Sequence, residues 1–135
     1  MARLRYLLDT NILSAMIKNP DSGPARKITT TGYEDACCTS MVVACELRYG
    51  AMKKGSEKLS ARVEQILNAV DILPLQAEVS EHYAEIRTAL EAEGRPIGGN
   101  DLLIAAQARS LKLIVVTANT REFSRVQGLE VENWM

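Results

Sequence analysis

The segment LIVVT at residues 113–117 is a short β-branched apolar run that turns polar only at its last residue. Such a run suits burial on both faces, the condition of a central strand in a parallel sheet. Parallel strands cannot be joined by a tight hairpin; each needs a crossover, usually a helix. Other short apolar runs share this character: YLL at Tyr6–Leu8 and ACCT at residues 36–39. Residues 71–75 form a strand-like piece whose Pro74 suits a sheet edge. Residues 126–134 are expected to add a last short strand.

Helical patterns fill the intervals. Thr10–Lys18 stops at Asn19-Pro20, and Met41–Lys54 follows Ser40, a good N-cap residue. Residues 57–70 carry Leu59, Val63, Ile66, Leu67 and Val70 on one stripe. Residues 77–93 carry Val79, Tyr83, Ile86 and Leu90 in register, with Gly94 and Pro96 beyond their end. DLLIAAQARSL, opened by Asn100, is apolar almost all round, as a buried helix is. DSGP and TTTGYED read as turns, with a short helical turn at residues 25–28 between them. The alternation predicts an α/β fold with a mostly parallel central sheet of four to five strands flanked by helices. The expectation is one domain over residues 1–135, a length that supports a real core.

Charge and cysteine content then narrow the function. The net charge of −1 gives no global positive field, so a nucleic-acid role needs a local basic patch. No apolar run approaches the ~20 residues of a membrane span. The apolar part of MARLRYLLDT is too short for a signal peptide, so the expected location is the cytoplasm. Cys37, Cys38, Cys45 and the lone His82 lack zinc-site spacing, and the cysteines read as reduced, mostly buried thiols.

The acidic residues carry the chemistry. Asp9 ends the first strand, where a buried charge is costly unless paired, hydrogen-bonded or metal-bound. With Thr10 and Asn11 behind it, Asp9 also suits a helix cap. Glu46 falls on the second turn of the helix after Ser40, Asp101 in the first turn of the buried helix, and Asn119 just past LIVVT. Ligands of open α/β sheets gather at the carboxyl ends of the strands, which gives these residues one rim. Each has a local explanation: a macrodipole partner for Asp101, Arg48 or Lys53 for Glu46, a turn for Asn119. Together, clustered carboxylates need a cation. Oxygen ligands favour Mg²⁺ or Mn²⁺, which suits hydrolysis of a phosphate ester.

YLLDTNILSAMIKNP, ACELRYG, RPIGGNDLLIAAQA and VVTANTREFSRVQGLEVENW resemble, in order, the motifs of PIN-domain ribonucleases, specifically VapC-type toxins of bacterial toxin–antitoxin pairs. The resemblance runs from Tyr6 to Trp134. It implies a metal-dependent endoribonuclease inhibited by a cognate antitoxin, a homodimer and a toxin–antitoxin hetero-oligomer, with operator DNA reached only through the antitoxin. It puts the metal ligands at Asp9 and Asp101, Glu46 as the third acidic residue, and Thr10, Asn11 and Thr117 as groups orienting them. Its fourth acidic position falls on Asn119, neutral here. Glu122, the nearest carboxylate, is expected to serve Arg121 or Arg125 at the surface.

Cations to grip RNA phosphates are sought among Arg48, Lys53, Lys54, Lys58, Arg62, Arg95 and Arg121. A shallow acidic cleft suits single-stranded or looped RNA. The apolar stripes of the first helices offer a groove to a partner helix. Trp134 is expected to pack. Two rival readings stand: a catalytically degraded PIN-like binding module, and a small haloacid-dehalogenase-like phosphatase. The phosphatase motif wants a second Asp where Asn11 stands.

Overall fold

The structure, a computed structural model, describes residues 3–135. Its parallel sheet has the order β3-β2-β1-β4-β5, with β1 Tyr6–Leu8, β2 Cys37–Ser40, β3 Asp71–Leu73, β4 Ile114–Val116 and β5 Val131–Glu132. All three residues of β1 are buried, as the centre of a sheet covered on both faces requires. Tyr6 stands opposite Cys37 on one side and Ile114 on the other. The chain steps outward from β1 to β3, then returns to place β4 against the free side of β1. The β1–β4 boundary is therefore the topological switch point, where open α/β sheets form their ligand crevice. Asp9 and Thr117 are the residues that follow the two strands there.

The crossovers are α1 Thr10–Lys18, α2 Gly23–Thr31, α3 Met41–Lys54, α4 Glu57–Ala69, α5 Val79–Ala92 and α6 Gly99–Leu111. Ser40 caps α3 by accepting from the Val42 amide, and Gly55 ends it with a positive φ of 67° that costs glycine little. In α6, Leu102, Ile104, Ala105, Ala106 and Ala108 are all buried; the alanines allow close approach of its neighbours. Pro74 lies beyond β3 at the sheet edge, and the buried Gln107 of α6 donates to the carbonyls of Leu73 and Pro74.

Three expectations change. Residues 25–28 belong to the full helix α2, which has Pro24 in its first turn, buries Pro24 and Ile28, and ends at Gly32. Its Thr29, Thr30 and Thr31 hydroxyls each donate to the carbonyl four residues back, which removes their competition with the helix. The last strand shrinks to Val131–Glu132. A one-turn helix, α7 Thr120–Phe123, appears where none was expected, anchored by the fully buried Phe123. Cys37 and Cys38 are buried thiols, pushed up to about 12 by burial, but Cys45 is exposed. Trp134 packs edge-on against Tyr6, their ring centroids 4.9 Å apart. No helix among the described residues is long and apolar enough to cross a membrane.

Candidate active site

Asp9 occupies the crevice at 3% exposure and is also the N-cap of α1. Its Oδ1 accepts from the Thr10 amide at 2.8 Å. Its Oδ2 accepts from the Thr117 hydroxyl at 2.8 Å and from the Asn11 amide at 3.3 Å. Its backbone N–H donates to the Val116 carbonyl and extends the ladder one residue beyond the strand. Cap and site are therefore the same carboxylate. Burial pushes Asp9 above the usual carboxylate range, and the three donors pull it back part of the way.

The other groups are tied to this centre through short polar links. Asn11 accepts from the Ala118 amide at 2.9 Å, which clamps the loop after β4 to the start of α1. Thr117 accepts from the Asn119 amide at 2.9 Å. The Thr10 hydroxyl donates to Oε1 of Glu46 at 2.8 Å, joining α1 to α3 across the crevice. Thr10, Asn11 and Thr117 thus hold the carboxylates in place, each by a bond that fixes a rotamer.

Asp101 sits in the first turn of α6, which opens at Gly99 rather than at Asn100. The Asn119 side-chain amide donates to Asp101 at 3.2 Å and to Glu122 at 3.1 Å. Burial first, then the charges of Asp9, Glu122 and Glu46, push the Asp101 carboxyl up to about 7. Asp9, Glu46, Asp101 and Asn119 are thus linked along one rim.

Glu122 joins them, and its expected role is corrected. Arg125 turns away to the Pro96 carbonyl, and the single turn of α7 brings Glu122 beside Asn119. The sequence signal was the Asn-x-x-Glu spacing of NTREF, which places the two side chains on one face of a helical turn. Glu46 pairs with neither Arg48 nor Lys53. Arg48 grips Glu64 with two bonds of 2.9 Å, and Lys53 lies over the Tyr49 ring.

Oxygen donors make up the whole cluster, the set a hard divalent ion takes. Burial first, then the neighbouring carboxylates, raise the Asp101 carboxyl, a setting that a bound cation would relieve. Among the described residues no three His, Cys, Asp or Glu side chains close into a metal cage. An open site with one or two carboxylates fits an ion that keeps several waters.

Residues 6–129 match the PIN domain family. Over 132 residues the chain is 40% identical to the tRNA(fMet)-specific endonuclease VapC of Shigella flexneri, covering 97% of this chain and 98% of that one. The chain is a PIN-domain protein of the VapC ribonuclease family. A second VapC relative, Ribonuclease VapC2 of Haemophilus influenzae, is 38% identical over 98% of this chain and 99% of its own. The VapC fold also aligns with the crystal structure of VapBC2 from Rickettsia felis bound to a DNA fragment from their promoter. That alignment has a TM-score of 0.90 and 33% identity, over 98% of this chain and 100% of that one. VapC kinship displaces the phosphatase reading; Asn11, in place of that motif's second Asp, bonds to Asp9 instead.

Proposed function

We propose that this VapC chain is a divalent-metal-dependent endoribonuclease toxin restrained by a cognate antitoxin, with Mg²⁺ or Mn²⁺ as its ion. The observation that carries the reading is the convergence of Asp9, Glu46, Asp101 and Glu122 on the switch-point rim, with the Asp101 carboxyl pushed up to about 7. Asp9 and Asp101 are the residues that would hold the ion. When bound, it supplies Lewis-acid polarisation of a phosphoryl oxygen and a lowered pKa for water.

The protein's own groups do the rest. Thr117, Asn11 and the Thr10 amide fix Asp9 in one orientation. The Thr10 hydroxyl occupies Oε1 of Glu46 and leaves Oε2 to accept a proton from the attacking water. Asn119 bridges Asp101 and Glu122 and offsets part of their repulsion without adding charge.

The substrate class is RNA. A relative named for tRNA(fMet) makes initiator tRNA the first substrate to try. The antitoxin's place is a groove of about 290 Å³ between α1, α3 and α4. Its floor is apolar, with Ile17, Leu47, Leu59 and Val63, and it runs up to Thr10 and Glu46. A partner helix laid there covers the approach to the carboxylates. The Rickettsia felis VapBC2 complex is bound to a promoter DNA fragment, and operator DNA is assigned here to the toxin–antitoxin complex in the same way. The setting is the cytoplasm.

The purified chain should cleave initiator tRNA with Mg²⁺ or Mn²⁺ and stop in excess EDTA. Its expression should arrest growth, and co-expressed antitoxin should restore it. Cleavage unaffected by EDTA rejects the metal. An inert, harmless chain that still binds antitoxin and operator DNA returns the binding-module reading.

A further inference from the structure

The amino ends of the central strands carry the opposite charge from the site. A hollow of about 400 Å³ opens there, lined by Arg3, Leu4, Arg5, Lys112, Ile114 and Glu130, with Leu111 beside them. Arg5 immediately precedes β1 and Lys112 lies just before β4, so the hollow sits beneath the same two strands whose far ends carry Asp9 and Thr117. Arg3, Arg5 and Lys112 are exposed, and none makes a salt bridge among the described residues. Glu130 is the one carboxylate in the lining.

Lys112 adds a conformational argument. It closes α6 in the left-handed region at φ 58°, the only non-glycine residue with a positive φ among those described. Glycine reaches that conformation without steric cost, whereas lysine does not. The helix dipole explains a cation near this end. It does not explain two arginines brought to the same hollow by a different strand.

We propose that Arg3, Arg5 and Lys112 form a second RNA contact, which grips backbone phosphates of the substrate well away from the scissile bond. The inference rests on the ribonuclease reading above. With a net charge of −1, the protein has no general attraction for RNA, so affinity must come from local cations. The carboxylate rim repels phosphates before its ion is bound, and this patch is a place where the RNA can be held meanwhile. β1 separates the two ends by only four residues from Arg5 to Asp9, about 13 Å of strand. A folded RNA can touch both ends; a short oligonucleotide seated at the carboxylates cannot.

The test compares a full-length tRNA with a short oligonucleotide containing only the cleavage site. The triple variant Arg3→Gln, Arg5→Gln, Lys112→Gln should lower the salt-dependence slope of tRNA binding by about 2, at ~0.7 per lost phosphate contact. It should raise KM for tRNA ~10-fold at unchanged kcat and leave both constants unchanged for the oligonucleotide. The charge-preserving pair Arg5→Lys, Lys112→Arg should keep wild-type tRNA binding, and melting curves verify that both variants fold. Binding is read in an Asp101→Asn background, so the patch is scored even if the chain cleaves nothing and the ribonuclease reading itself fails. An unchanged slope, equal losses on tRNA and oligonucleotide, or loss of antitoxin binding alone would overturn the proposal; the last would assign the patch to a protein contact.

Discussion

Asp9 and Asp101 face the same crevice and burial raises both carboxyls, yet what surrounds each differs. Asp9, at the end of β1, meets three donors fixed by the β1–β4 junction, and these stabilise its charge against burial. Asp101, at the start of α6, has the Asn119 amide for support, while burial first, then Asp9, Glu122 and Glu46, press its proton back on. One carboxylate is held ready by the fold; the other is left in want of a positive charge. The contrast teaches that the junction supplies geometry and the α6–α7 edge supplies electrostatic demand. A cation placed between them satisfies both.

The largest expected effect separates the two in stability while uniting them in activity. Asp9→Ala and Asp101→Asn should each cut RNA cleavage by ~10³-fold or more, the loss of several kcal/mol of transition-state stabilisation. Asp9→Ala should also destabilise the fold by ~1–3 kcal/mol, because it removes a helix cap and leaves buried donors without an acceptor. Asp101→Asn should be neutral or stabilising in metal-free protein at pH 8. Thermal melts beside a cleavage assay read both quantities. Equal destabilisation by the two substitutions would break the comparison.

Next in size is Glu46→Gln, expected to lower kcat ~100-fold with a smaller loss of Mg²⁺ affinity. Single-turnover kinetics with a Mg²⁺ titration separate these losses. Near-wild-type turnover would return Glu46 to a structural link with Thr10.

The pH dependence is smaller and has a definite sign. The Asp101 carboxyl lies at about 7 when folded, above its unfolded value of roughly 3.9. Protonation therefore favours the folded state, and this contribution is full below pH ~4 and lost as pH rises through 7. Allowing for partial solvent screening, it amounts to ~1–2 kcal/mol. The difference in melting between wild type and Asp101→Asn, metal-free, should open across that window. A flat difference would place Asp101 among ordinary surface carboxylates.

The smallest effects belong to Glu122 and Asn119. Glu122→Gln should lower the Asp101 pKa and cost ~10-fold in activity, the scale for a group that supports a metal ligand. Asn119→Asp should tighten Mn²⁺ binding, whereas Asn119→Ala should cost some activity and leave the ion bound. NMR titration of the Asp101 carboxyl and Mn²⁺ calorimetry read these changes. No change in either would remove the α7 edge from the site.

How much of this was legible in the sequence depended on the length of each signal. LIVVT, YLL and the periodic helices are long or distinctive enough to fix the parallel sheet, and the rim rule then brought Asp9, Glu46 and Asp101 together. The sequence understates α2 because its threonines are weak helix formers, whose cost is offset by burial of Pro24 and Ile28. The sequence hides the place of Glu122 because α7 is four residues long, too short for periodicity, and is held by the buried Phe123. The spacing did rule out one expected pair: Glu46 and Arg48 are two residues apart, so they do not share a helix face. Arg48 was free to reach Glu64 on α4.

On this reading Asp9 and Asp101 jointly hold a single divalent ion. Calorimetric titration of wild type and Asp101→Asn with Mn²⁺ at pH 8 decides it. The prediction is one ion per wild-type chain and at least ~10-fold weaker binding in the variant, consistent with the loss of a direct carboxylate ligand. Equal Mn²⁺ affinity in the two proteins would contradict it.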